Sequence, residues 1–168
     1  GGKVPEDAGQ VILANCTGFL LENLNISNID YGILIGFSSQ NIITNNNIYE
    51  DGISLDYSSN NRIAGNNISS RGPGIYLWYS SNNSIIDNNI SNNLYGIYLR
   101  YSSNNSITDN NISNNYDGIY LDYSSNNSIT DNNISSNNWN GIYLWYSSNN
   151  SIYLNNFIDN SDNVCSYD

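Results

Sequence analysis

Eight side chains in this sequence recur at a spacing that suits either holding a sugar chain or simple cross-strand stacking that stabilises a sheet. Tyr76, Tyr98, Tyr120 and Tyr143 follow one another at steps of 22, 22 and 23 residues, and Trp78, Arg100, Asp122 and Trp145 keep the same steps two residues further on. Aromatic rings offer flat apolar surfaces to the C–H faces of sugars, while Arg and Asp hydrogen-bond their polar edges. Arg100 and Asp122, one step apart, read as an ion pair rather than as catalytic groups. A second acidic set, Asp87, Asp109 and Asp131, recurs at 22 residues. Such carboxylates repel unless each caps a turn or all share a cation such as Ca²⁺. The matching positions elsewhere hold Asn23, Asn45, Gly65 and Leu154. Charge is therefore dispensable there, and turn capping is the expected role, with no metal.

The spacing comes from an internal repeat. The phrase G-I-Y-L starts at Gly74, Gly96, Gly118 and Gly141, with G-I-S-L at Gly52 and G-I-L-I at Gly32. Each copy contains three short β-rich runs separated by Asn, Ser and Gly, which reads as three strands and three turns. A repeat this short cannot hold a propeller blade, its apolar spacing is not helical, and the Leu pattern of leucine-rich repeats is missing. The fold predicted is all-β: a right-handed parallel β-helix, one solenoid over residues 1–168, with about seven coils of 20–23 residues.

Stacking the coils predicts four inward columns. Residues of one coil such as Ile97, Leu99, Ile107 and Ile112 fill them, and a lone coil buries too little to offset the entropy of ordering its backbone. Beside the fourth column runs an unbroken series, Asn25, Asn47, Asn67, Asn89, Asn111, Asn133 and Asn156, predicted to be an inward ladder of stacked amides. Alternation along the G-I-Y-L strand turns its Tyr, and the residue after its Leu, outward. The column Phe37, Tyr57, Tyr79, Tyr101, Tyr123 and Tyr146 follows, and its regularity indicates corner packing. Catalysis finds little support: a glycosidase needs carboxylates within roughly 5–10 Å, whereas Asp56 and Asp122 stand three coils, roughly 14 Å, apart.

The coils G-I-Y-L-x-Y-S-S-N-N-S-I-T-D-N-N-I-S from Gly96 and Gly118 resemble the β-helix repeats of NosD-like proteins. These belong to the wider carbohydrate-binding and sugar-hydrolase class of parallel β-helices. The opening V-I-L-A-N-C-T-G-F-L-L-E-N-L-N-I-S, from Val11, is similar to the first coil of such domains in archaeal surface proteins. The resemblance implies the β-helix and polysaccharide contact along the first-strand face. It also implies a link to copper delivery, but copper prefers imidazole, thioether or thiolate ligands. With no His, no Met and only Cys16 and Cys165, the sequence does not carry that role, and no cofactor is expected.

A net charge of −11 argues against nucleic acid and anionic membranes as partners, and no run is apolar enough for membrane insertion. Ten N-x-S/T sequons, including Asn15, Asn82, Asn104, Asn126 and Asn149, arise largely from the repeat text. No helix or polar cap is visible at either end, so the solenoid reads as excised from a larger protein or as stacking on copies of itself. The function expected is a non-catalytic extracellular or cell-surface module, a rigid scaffold contacting polysaccharide or surface glycan. Two alternatives stand beside it: a filament or surface-layer subunit assembled end to end, and a fragment of a polysaccharide lyase or hydrolase.

Overall fold

The protein, seen in a computed structural model, is described for residues 1–27 and 32–168. Every regular element in them is a β-strand, and the strands form three parallel sheets of eight, seven and seven. Each strand pairs with its counterparts one repeat before and after. Thus Ile75 lies between Ile53 and Ile97, and Leu77 between Leu55 and Leu99. This is the right-handed parallel β-helix of about seven coils read from the repeat.

The four aliphatic columns fill the interior. In the coil that starts at Gly96, Ile97, Leu99, Ile107 and Ile112 are all fully buried. Burial fades only in the outermost coils, which have a neighbour on one side: Leu13, Ile152 and Phe157 are partly covered, and Val164 is 46% exposed. Before the first full coil, Val4 N–H donates to the Leu20 carbonyl at 3.0 Å and Leu20 N–H to that of Gly2 at 2.8 Å. No helix lies there; an extended segment covers the first coil, with Val4 buried.

The repeated glycine has a steric cause. A Cβ built on Gly96 would lie 2.5 Å from the Gly118 carbonyl oxygen and 2.7 Å from Ile112 Cγ2, and the same clash recurs at Gly52, Gly74, Gly118 and Gly141. Adjacent coils approach too closely there for any side chain. Gly96→Ala is expected to destabilise by about 1–3 kcal/mol, the cost typical of overpacking, and urea unfolding checks it. An unchanged midpoint would mean that the coils separate freely at this corner.

The asparagine column at Asn111 corrects the sequence reading. Asn67, Asn89, Asn111, Asn133 and Asn156 do form an amide ladder, each Nδ2 donating to the preceding Oδ1 at 2.8–3.0 Å, but it runs along the outside of the solenoid. Strand alternation is the reason: Ile112 points in, so its neighbour Asn111 points out. The buried ladder lies one residue earlier. Asn46, Asn66, Asn88, Asn110 and Asn132 are each about 1% exposed. The Asn110 Oδ1 accepts from both the N–H and the Nδ2 of Asn88 at 3.0 Å, and its own Nδ2 donates to Asn132 Oδ1 at 2.9 Å. Two further buried ladders run through Asn83–Asn105–Asn127 and Asn93–Asn115–Asn137, with Ser80–Ser102–Ser124 as a hydroxyl counterpart. Among the described residues no buried side-chain nitrogen or oxygen is left without a partner.

The remaining corners turn through the left-handed backbone region. Asp87, Asp109 and Asp131 sit there with φ of 55–59°, as do Asn23, Asn45 and Gly65. Asp, Asn and Gly tolerate this conformation at least cost, which accounts for every member of the column but Leu154, a residue without that tolerance that holds φ of 57° there. The exposed Asn82, Asn104, Asn126 and Asn149 occupy another such corner.

Candidate functional site

The first sheet carries the residues singled out for sugar contact, and parallel pairing holds them in register. Tyr76, Tyr98, Tyr120 and Tyr143 form one outward column, and Trp78, Arg100, Asp122 and Trp145 the next. The tyrosine rings stack face to face with centroids 4.9–5.0 Å apart, the spacing of the coils themselves. On the far side of the Trp78–Trp145 column stands the corner column from Phe37 to Tyr146, whose rings also stack at 4.9–5.4 Å.

These corner residues hold φ of 44–51°, a left-handed conformation that aromatic residues adopt only at a cost of about 1–2 kcal/mol each. Ring stacking of about 0.5–1.5 kcal/mol per pair offsets part of it. Two rows of stacked tyrosines thus flank the Trp78–Trp145 column, and the strip between them is an open slot on the sheet face. Trp78 closes one end, packing edge-on against Tyr57 and Tyr79 at 5.2 and 5.4 Å, and Trp145 closes the other, edge-on against Tyr146 at 5.1 Å. Sequence reasoning placed the Trp and Tyr98 columns on one face but did not see that the corner column forms the second wall.

The floor between the two tryptophans is the Arg100–Asp122 pair. Arg100 Nε lies 3.2 Å from Asp122 Oδ2, and Tyr98 Oη–H donates to the same oxygen at 3.0 Å. The guanidinium also sits over the Tyr101 ring, 5.4 Å from its centroid. Asp122 is 8% exposed while Arg100 reaches solvent. The carboxylate is thus already engaged from two sides and the guanidinium keeps donors for a ligand.

The phenols respond to this environment. Burial, reinforced by the nearby Asp122 carboxylate, raises the Tyr98 pKa far above the usual tyrosine value. The same two causes, burial first, push Tyr120 up to about 12. A tyrosine whose folded pKa is raised contributes stability that is complete below its unfolded value, about 10, and is lost as pH rises through the folded value. For Tyr120 that window runs from the ordinary value, about 10, to about 12. Stability should therefore fall across this window, and Tyr120→Phe should make the fall shallower. Urea unfolding followed at several alkaline pH values checks it; identical slopes for both proteins would show that Tyr120 titrates as it does in the unfolded chain.

A concavity lies on the other side of the Tyr98 column, two coils further on. It encloses ≈ 200 Å³ between Asp117, Asn140, Asp162, Trp139, Tyr143 and Tyr167. The sequence reading did not find it. The signal was a break in the column Pro73, Tyr95, Asp117, where the third member is a short acid instead of a ring.

A family model described as periplasmic copper-binding protein (NosD) matches residues 3–168. A search of curated proteins gives no significant match. Among solved structures, a double mutant of the periplasmic alginate epimerase AlgG superposes with a TM-score of 0.83 at 26% identity, covering 89% of this chain and 38% of that one. The A-module of the Azotobacter vinelandii mannuronan C-5 epimerase AlgE6 gives 0.74 at 17% identity, over 94% of this chain and 54% of that one. The enzymatically active domain of bacteriophage CBA120 tailspike protein 2 gives 0.76 at 16% identity, over 91% and 27%. The latter two show the fold alone, and this chain spans between 27% and 54% of the length of these three structures. The copper description can be tested against the donors present. Cys16 is part of the first coil and Cys165 of the last strand, and no cluster of three His, Cys, Asp or Glu that could hold a metal occurs among the described residues. These residues do not fit a copper site.

Proposed function

The chain belongs to the NosD family, and from that premise we propose that it is a non-catalytic β-helix module of the cell envelope that holds a glycan in the slot of the first sheet. The observation that carries the reading is the slot itself: two stacked tyrosine walls around an Arg100–Asp122 floor, closed by Trp78 and Trp145. A sugar ring has apolar faces for the walls and hydroxyls for the floor. The periplasmic description of the family, and of AlgG, supports an envelope location.

Two features favour holding over cleaving. Asp122 is tied to Arg100 and Tyr98, so it is poorly placed to take a proton from a substrate. A tyrosine base would have to ionise, and both Tyr98 and Tyr120 are shifted toward staying protonated. The chain's −11 charge further favours neutral or cationic glycans over polyuronates.

Soluble oligosaccharides should change the tryptophan fluorescence of the native protein, and the double variant Trp78→Ala, Trp145→Ala should lose that change while still folding. Both residues are outward and outside the aliphatic columns, although each packs on corner tyrosines. An affinity no tighter than roughly millimolar is expected, since an open face covers one side of a ligand. A double variant that unfolds would make the tryptophans scaffold. A folded wild type indifferent to every oligosaccharide would make the slot inert and turn attention to end-to-end assembly.

A further inference from the structure

The concavity between the last two coils lies outside the slot and makes a separate binding site. In the preceding coil the Tyr95 ring fills the equivalent space, packing against Tyr98 and Tyr120 at 5.1 and 5.3 Å. Asp117 replaces that ring one coil on, and the space opens to ≈ 200 Å³. Asp117 is 3% exposed. Its Oδ1 accepts from the Asn140 N–H at 2.9 Å and from Asn140 Nδ2 at 2.7 Å. These bonds fix the carboxylate and leave Oδ2 without a donor among the described residues. Since no buried oxygen there is unsatisfied, Oδ2 opens into the hollow. Asp162 adds a second carboxylate, and Trp139, Tyr143 and Tyr167 supply aromatic surface.

No Lys or Arg lines this hollow, so its two negative charges meet no internal cation. Ca²⁺ and Mg²⁺ want six or more oxygens, which two carboxylates and one amide do not provide, and no group of three His, Cys, Asp or Glu that could hold a metal occurs among the described residues. Aromatic faces beside carboxylates match a different ligand, the ammonium group of an organic cation, attracted by the ring quadrupoles and the charge together. We propose that this hollow binds an organic ammonium group.

The test uses the 168-residue chain carrying Trp78→Phe and Trp145→Phe, which leaves Trp139 as the one tryptophan in it and removes the slot's own closing residues. Glucosamine is titrated against glucose, and choline against its uncharged tert-butyl analogue. The charged member of at least one pair should shift Trp139 emission and bind about tenfold tighter than its neutral partner, less so at high salt. Tighter glucosamine would assign an amino sugar and tighter choline a quaternary head group. Asp117→Asn should weaken that binding by about tenfold without lowering the melting temperature, because its amide oxygen still accepts from Asn140. Should the Phe background fail to fold, Cys165, which also lines the hollow, gives a second readout. In a Cys16→Ser protein the preferred ammonium should slow its alkylation. Equal binding of charged and neutral partners, no binding of either, or unprotected Cys165 would overturn the proposal.

Discussion

Leu99→Asp is expected to leave the protein unfolded in buffer where the wild type is folded. Leu99 is fully buried between Leu77 and Leu121 in the middle of the solenoid. Truncating a core leucine to alanine alone costs about 2–5 kcal/mol. An unpaired carboxylate at that position adds a desolvation cost of at least several kcal/mol, or must take up a proton and remain an unsatisfied polar group. Together these approach the whole stability of a typical domain, about 5–15 kcal/mol. Position matters as well as chemistry. Each coil rests on its two neighbours, so a break in the centre cuts the stack into two short pieces. Ile152, partly exposed in the outer coil, should tolerate Ile152→Ala with a smaller loss than Leu99→Ala. Circular dichroism and urea unfolding of the three variants read both claims. A cooperatively folded Leu99→Asp protein with a native midpoint would mean that the column is not a continuous core.

The fold was legible because its signal is repeated. One coil of G-I-Y-L and N-N-I-S would be ambiguous, but Ile and Leu returning at the same phase in coil after coil admit one stacking solution, and the observed pairing of Ile97 with Ile75 and Ile119 follows it. The identity of the buried amide does not follow from regularity alone and needs strand alternation as well. The pair N-N precedes the isoleucine in five coils, at Asn46, Asn66, Asn88, Asn110 and Asn132, while Leu24 breaks the inner series in the first coil and leaves the outer one the more regular. Alternation around Ile112 assigns Asn111 to the outside, so the inner ladder belongs to Asn110.

The site was legible in part for a similar reason. Columns of identical rings announce themselves, and the Arg100–Asp122 pair follows directly from register. What the sequence concealed is the shape between columns. The corner tyrosines form a wall because their backbone turns left-handed, which residue type gives no reason to expect of tyrosine. The hollow at Asp117 exists because one ring is missing from a series, and a missing ring has weight only once its neighbours are known to pack on it.

The two asparagines of one N-N pair should therefore behave very differently. Asn110→Ala removes an Oδ1 that accepts from two Asn88 donors, and an Nδ2 that serves the carbonyls of Ile85 and Thr108 at 3.0 and 2.9 Å. Asn110 is 1% exposed, so water cannot replace these partners. Each buried group stripped of its partner costs about 1–3 kcal/mol, and a combined loss of at least about 3 kcal/mol is expected even without additivity. Asn111→Ala also breaks two ladder bonds, to Asn89 at 2.9 Å and from Asn133 at 2.8 Å, but on an exposed surface. Water takes over there, and the loss should stay within about 1 kcal/mol. Asn110→Asp sharpens the contrast. It keeps the acceptor for Asn88 but turns a carboxylate oxygen toward the Ile85 and Thr108 carbonyls and Asn132 Oδ1, where Nδ2 now donates. Repulsion among those oxygens disfavours the ionised form and raises that aspartate's pKa. The variant should thus gain stability as pH falls toward the range where the new carboxyl protonates, since the protonated group can donate again. Urea midpoints for the three variants at neutral and acidic pH decide the matter. Equal losses for Asn110→Ala and Asn111→Ala would mean that both ladders see the same solvent and that the inner one is not sealed in the core.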